Sequence, residues 1–268
     1  MSPERSVEVP DGRLWSETVG EGPDVVLVHP GLWDARTWDR QVPVLTAAGY
    51  RVTRYDLRGY GRSTRLTGGA YSNVRDLAAV MDAAGVERAV LVGCSMGGEV
   101  ALDVALAHPD RAMGLVVAAS APSGFEMTPE EEAWWDERMA PVETAIEAGE
   151  HERAEDMRLA TWAPLGTEDG AGAAIRRIAF DNLHELTMDE SAAEQLSPPA
   201  ARRLHEVAVP TLVLIADHDP PFMRRGGELI AQGVPGARVV RLDTDHVINL
   251  RSAEIFDELL LGFLRELG

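Results

Sequence analysis

The chain has 268 residues, and 44 acidic against 25 basic side chains give a formal charge of −19. Every one of those cations is arginine. The absence of lysine excludes Schiff-base aldolases, pyridoxal-phosphate enzymes, Walker-A phosphate loops and protein kinases, all of which need a lysine amine. The acidity argues against a nucleic-acid partner, because phosphate binding rests on clustered basic residues. Cys94 is the single cysteine and cannot form an intrachain disulfide. The stretch Met1–Gly12 is polar and acidic with no apolar leader segment. No apolar run approaches the roughly 20 residues that cross a bilayer. The expectation is a soluble cytoplasmic protein with a small-molecule substrate and no membrane partner.

Val7–Val9 and Arg13–Val19, separated by Asp11-Gly12, read as a leading antiparallel hairpin. Val25–His29 is the next strand, followed by a helical pattern over Trp38–Ala48. Further strands are expected at Arg51–Tyr55, at Ala89–Gly93 (with an alanine-rich helix after it, near Met96–Ala107) and at Gly114–Ala119. Strands at Thr211–Ala216 and Arg238–Leu242 close the series. Apolar strands alternating with helices indicate an α/β fold with a mostly parallel sheet covered on both faces.

The alternation breaks over residues 121–204, which read as helices only. Thr128-Pro129-Glu130-Glu131 is a helix start, with a Thr cap, Pro at the first position and Glu three residues after the cap. Trp135, Met139, Val142 and Ile146 follow at helical spacing, and Gly149 suits the exit. Further helices are expected over His151–Thr161 and Gly172–Leu186. The division is therefore 1–120, a helical insert 121–204, and 205–268. The insert holds 19 acids and seven arginines, a net −12 on under a third of the chain.

Gly93-Cys94-Ser95-Met96-Gly97 lies between a strand and a helix. That context is what a serine nucleophile on a sharp turn requires. The turn strains the serine backbone, and only small residues fit two positions before and after it. The helix begins at the serine, so its free N–H groups face developing negative charge. Cys94 is one residue off the apex and should point away.

Among seven histidines, His246 follows the last strand after a short loop. Loops after parallel strands share one sheet edge, so His246 should share it with Ser95. His151, His184 and His205 belong to or adjoin the insert and are expected to be exposed. The orienting acid is Asp219, in the loop after Thr211–Ala216, with Asp217 as the alternative. Ser95, Asp219 and His246 stand in one of the three known chain orders of the serine triad. The strand ending at His29-Pro30-Gly31 reaches the same edge, and the predicted oxyanion hole is the amides of Gly31 and Met96. His29 should brace that loop.

These residues, together with Trp38 and Asp56-Leu57-Arg58-Gly59-Tyr60-Gly61-Arg62-Ser63, resemble the α/β-hydrolase superfamily over nearly the whole chain. Within it they resemble the serine-nucleophile, capped branch of esterases and haloperoxidase-like enzymes. The resemblance implies the α/β-hydrolase fold: a mostly parallel eight-stranded sheet with a helical lid inserted after the sixth strand. One departure is Pro30, where the family's oxyanion motif has glycine; the donor position maps to Gly31.

A serine at the elbow disfavours the dehalogenases and epoxide hydrolases that need a carboxylate nucleophile. The expected function is hydrolysis of a neutral, apolar or aromatic carboxylic ester or lactone through an acyl-enzyme on Ser95. The alternatives are another reaction on the same triad (C–C bond hydrolase, cofactor-free perhydrolase, thioesterase, lyase or cyclase) and a non-catalytic binding protein. Leu32, Trp33, Trp134, Trp135, Met139 and Trp162 are the expected substrate-binding residues. No cofactor is needed for acyl transfer to water, and no metal-ligand spacing is present.

Overall fold

The computed structural model describes residues 3–65, 69–168 and 170–268. Met1 and Ser2, at the head of the stretch read for a leader, and Asp169 of the insert lie outside them. Eight strands form one sheet: β1 (Glu4–Val9), β2 (Gly12–Val19), β3 (Asp24–Val28), β4 (Arg51–Tyr55), β5 (Ala89–Cys94), β6 (Ala112–Ala118), β7 (Thr211–Ala216) and β8 (Arg238–Leu242). Their order across the sheet is β1-β2-β4-β3-β5-β6-β7-β8. The β1–β2 and β2–β4 pairings are antiparallel and all others parallel. Nine helices accompany them: α1 (Gln41–Ala47), α2 (Asn73–Ala84), α3 (Met96–Ala107), α4 (Pro129–Glu147), α5 (His151–Trp162), α6 (Gly170–Asp181), α7 (Pro221–Gly233), α8 (Ile248–Arg251) and α9 (Ala253–Leu267).

The central strands β5 and β7 are buried along their whole length. This explains why they read as unbroken apolar runs rather than as alternation. One face of the sheet packs against α2, α3 and α7 through residues such as Leu77, Leu102 and Ile230. The other packs against α1 and α9 through Leu45, Phe256 and Leu260. No helix among the described residues is long and apolar enough to cross a membrane.

Three expected boundaries move. The hairpin register pairs Val9 with Gly12, so the turn is Pro10-Asp11, and Asp11 takes the left-handed conformation at φ +58°. The pattern over Trp38–Ala48 splits into a short 3₁₀ turn, Ala35–Trp38, and α1. Asp34 caps that turn by accepting from Arg36 N–H, and Trp38 turns inward against Phe256, their rings 5.8 Å apart. The pattern over Gly172–Leu186 breaks at Asn182 between α6 and a 3₁₀ turn, Leu183–Thr187. The buried Asn182 donates to Asp34 Oδ2 at 2.8 Å and accepts from Gly61 N–H at 2.9 Å, bonds that a continuing helix would not place.

Between β6 and β7 the regular elements are α4, α5, α6 and short 3₁₀ turns. At the head of α4 both bonds of the Thr128–Glu131 capping box form, and Glu131 also pairs with Arg225 of α7. His184 bonds the Gly59 carbonyl at 2.8 Å, so this histidine is partly buried rather than exposed.

Glu155 of α5 is 1% exposed, and neither of its carboxylate oxygens finds a hydrogen bond among the described residues. Burial pushes its acid up to about 7, although Arg158 lies 3.4 Å away. The native protein therefore holds a proton that the unfolded chain releases above pH 4.5. The stability this proton confers is present below that pH and is lost as pH rises through 7. Glu155→Gln stays neutral and should raise stability at pH 8 by about 1 kcal/mol or more, a Tm gain of at least ~2–4 °C. At pH 4 thermal unfolding of the two proteins should coincide.

Candidate active site

The site is built where β5 turns into α3. Ser95 sits at φ +53° and ψ −122°, outside the regions a non-glycine residue normally adopts. Its N–H donates to Ala118 O at 2.8 Å. Its carbonyl accepts from Gly98 N–H at 2.8 Å, Glu99 N–H at 3.0 Å and the Ser120 hydroxyl at 2.8 Å. The turn closes only because its flanking residues are glycine. A Cβ on Gly93 would meet Gly97 O at 2.1 Å, and one on Gly97 would meet Val28 O at 2.2 Å.

Cys94 points the other way. It is buried, burial pushes its thiol up, and Sγ donates to the His246 carbonyl at 3.4 Å. The residue before the serine thus touches the backbone of the histidine loop. His246 is 2% exposed, and its Nδ1–H donates to Asp219 Oδ1 at 2.7 Å. This bond leaves Nε2 as the basic nitrogen. Burial raises the Asp219 carboxyl and the histidine partner opposes that rise. Asp217 lies outside this pair: it is half-exposed and bonded to Arg241 Nε at 2.9 Å. Asp245, beside the histidine, is bonded to Arg251 at 2.9 Å.

The loop after β3 lies against the head of α3. A Cβ on Gly31 would come within 3.3 Å of Met96 Cε and 3.6 Å of the Tyr60 hydroxyl. Leu32 follows at φ +68°, a second strained residue on this edge. His29 is fully buried. Its Nε2 accepts from Leu57 N–H at 2.8 Å, so Nδ1 carries the proton and donates to Pro30 O at 2.7 Å. Burial lowers its pKa, in keeping with a neutral ring.

Ser95 opens onto a cavity of about 290 Å³. Its walls are Tyr71, Asn73, Met96, Glu99, Ser120, Ala121, Glu190, Ala193, Gln195 and Met223. None of the six expected substrate-binding residues is among them. Met139 packs with Val142, Ala145 and Ala154 in the α4–α5 seam. Trp33 is fully buried and donates from Nε1 to Ile175 O at 2.9 Å. Trp134, Trp135 and Trp162 gather around Phe222 of α7, with ring centroids 6.3, 5.3 and 6.2 Å from it, and Leu32 packs on the same cluster. Trp162 also lies 4.4 Å from the His246 ring, and its carbonyl accepts from His246 N–H at 3.3 Å. The insert's tryptophans therefore fasten α4 and α5 to the sheet domain and cover the histidine. The wall residues of α3's second turn and of the segments 71–73 and 190–195 carry no pattern that singles them out. The one available signal was Glu99, an acid in an otherwise apolar helix face just after the serine. Among the described residues no three His, Cys, Asp or Glu side chains form a metal-holding group.

A family model described as the alpha/beta hydrolase fold matches residues 24–253. The chain is a member of the α/β-hydrolase family. It is 29% identical over 273 residues to the rhodomycin D methylesterase DauP of a Streptomyces species, covering 90% of this chain and 91% of that one. It is also 29% identical over 269 residues to a 2-hydroxy-6-oxononadienedioate/2-hydroxy-6-oxononatrienedioate hydrolase of Paraburkholderia phymatum, covering 94% and 91%. Among solved structures, the enol-lactonase of Burkholderia xenovorans superposes with a TM-score of 0.72 at 25% identity, covering 97% of this chain and all of that one. The protein is an α/β-fold hydrolase enzyme, as are these relatives by name.

Gly97→Ala should destabilise this hydrolase by more than about 4 kcal/mol or prevent folding, because backbone on both sides of the contact is fixed. Gly262→Ala, whose added Cβ meets nothing within 4 Å in α9, should instead stabilise by about 0.5–1 kcal/mol. Thermal unfolding of the two variants separates them.

Proposed function

We propose that the enzyme is a serine hydrolase that cleaves a carboxylic ester or lactone bearing no anionic group, through an acyl-enzyme on Ser95. The observation that carries this reading is the buried Asp219–His246 pair at 2.7 Å beside a strained serine at a helix N-terminus. In this mechanism Ser95 Oγ attacks the carbonyl carbon and His246 Nε2 takes its proton. Asp219 holds the Nδ1–H and stabilises the imidazolium. The carbonyl oxygen becomes an oxyanion facing the amides of Met96 and Gly31. The Met96 amide comes at the first helical position, before the helix supplies acceptors. His246 then protonates the departing alcohol, and water, deprotonated by the same nitrogen, releases the acid.

Residues 121–204 act as the lid in this reading, seated on the parts 1–120 and 205–268 through the Trp162–His246 and Glu131–Arg225 contacts. The apolar part of the acyl site comes from Met96, Ala121 and Met223, with Tyr71 as its aromatic surface. Glu99 and Glu190 on the wall disfavour a dianionic substrate such as the dioate in one relative's name. Methylesterase and lactonase relatives support the ester or lactone class.

A fluorophosphonate probe should label the protein stoichiometrically, and Ser95→Ala should abolish the label. Absence of labelling on the folded wild type would leave only the non-catalytic alternative. Hydrolysis of p-nitrophenyl esters of graded chain length should fall by about 10⁴ in kcat in Asp219→Asn, which spoils the histidine tautomer. Asp217→Asn should retain nearly full turnover. Replacement of a neutral acyl chain by its ω-carboxylate analogue should lower kcat/KM.

A further inference from the structure

The wall acids of the Ser95 cavity differ from the other buried carboxylates of the protein. Asp34, Asp76, Asp219 and Asp245 each bond a cation or a histidine. Glu99 has no hydrogen-bond or ion-pair partner among the described residues, although it is almost wholly withdrawn from bulk water. Its remaining accessible surface faces the cavity. Burial together with Asp103 and Glu190 pushes its acid up to about 7, so the site lacks a cation that would relieve it. Glu190 lies at the exposed mouth, where Oε1 accepts from the Tyr60 hydroxyl at 3.1 Å and Oε2 is left for a ligand. Tyr71 adds an aromatic ring, and Asn73 and Gln195 add amide oxygens. No arginine, histidine or other basic side chain lines this cavity.

We propose that this cavity is an ammonium-binding subsite: Glu99, with Glu190 and the Tyr71 ring, receives a basic amine carried by the ester or lactone substrate. The proposal rests on the ester-hydrolase reading and specifies its substrate class. Spacing follows from the helix. Glu99 is four residues after Ser95 on α3, a rise of about 6 Å. The amine is therefore held within a few bonds of the reacting carbonyl. A carboxylate in a partly dehydrated cavity binds an ammonium by charge-assisted hydrogen bonds, and an aromatic face adds a cation–π contact. The −12 charge of the insert works in the same direction at long range, raising the local concentration of cations.

Benzylamine, protonated at pH 8, and benzyl alcohol, its neutral counterpart, serve as probes. Isothermal titration at pH 8 should show benzylamine binding at least about tenfold more tightly than benzyl alcohol to wild type, the effect of one hydrogen bond to a charged group. The preference should vanish in Glu99→Gln, weaken in Glu190→Gln and persist in part in Glu99→Asp, which also controls for folding. Bound benzylamine should slow fluorophosphonate labelling of Ser95, placing it in this cavity. Equal binding of the two probes, or a preference that survives in Glu99→Gln, overturns the ammonium subsite. Labelling and titration fail separately: a wild type that binds benzylamine through Glu99 but resists the fluorophosphonate keeps the subsite and loses the hydrolase reading.

Discussion

The contact on which the rest of the site depends is that between α3 and the end of β3. Gly97 presses its Cα toward the carbonyls of Val28 and His29, so closely that a Cβ would lie 2.2 and 2.6 Å from them. That approach fixes the head of α3 above the sheet edge and holds Ser95 at its strained φ and ψ. It also brings Met96 against Gly31, so two loops far apart in sequence present their amides to one point. Strain of this kind persists only where the surroundings over-determine it. Here three donors converge on the single carbonyl of Ser95.

A second joint couples the helical insert to this frame. Asp56 accepts from Ala35 N–H at 2.9 Å and Arg62 N–H at 2.8 Å, and Ser63 donates to the Asp56 carbonyl at 2.6 Å. The loop 56–63 is thereby rigid, and Gly61 at φ +50° fits against the Asp56 carboxylate, where a Cβ would clash at 2.4 Å. Its outward groups then meet the insert: Gly61 N–H bonds Asn182, Gly59 O bonds His184 and the Tyr60 hydroxyl bonds Glu190. With the tryptophans around Phe222 on the opposite side, the insert is fastened at two edges with the cavity between them. The loop motif therefore does more than complete a strand exit, because it sets where the cavity's Glu190 wall stands.

The legible parts of the sequence are those where sterics allow few residues. Continuous apolar runs gave β4, β7 and β8 to the residue, since a strand buried on both faces tolerates little else. The Thr128-Pro129-Glu130-Glu131 start and the Gly149 exit, at φ +74°, bound α4 for equally local reasons. The breaks at Trp38 and Asn182 were invisible because tertiary bonds, to Asp34 and Gly61, override a local helical pattern. The cavity walls were the least legible. Tryptophan in a lid suggests an aromatic pocket, but large flat side chains also gain the most from dry packing, and these rings took that route around Phe222. The cavity is instead assembled from scattered positions on four separate segments, which no single period connects.

Glu99 turns that difficulty into an argument about selection of substrate. A carboxyl raised to about 7 by burial destabilises the fold as pH rises, because the unfolded chain ionises more readily. Where an acid is kept for structure, the cost is offset inside the protein, as at Asp76, whose two oxygens each meet Arg58 at 2.9 Å. Glu155 is left without hydrogen bonds too, but it is sealed within the insert beside Arg158. Glu99 alone combines the cost with an open face toward the serine. A residue with no internal partner and one accessible direction is arranged for something that arrives along that direction. Its charge requires the arriving group to be a cation or a strong hydrogen-bond donor. Glu190 and the Tyr71 ring, on two other segments, favour the cation.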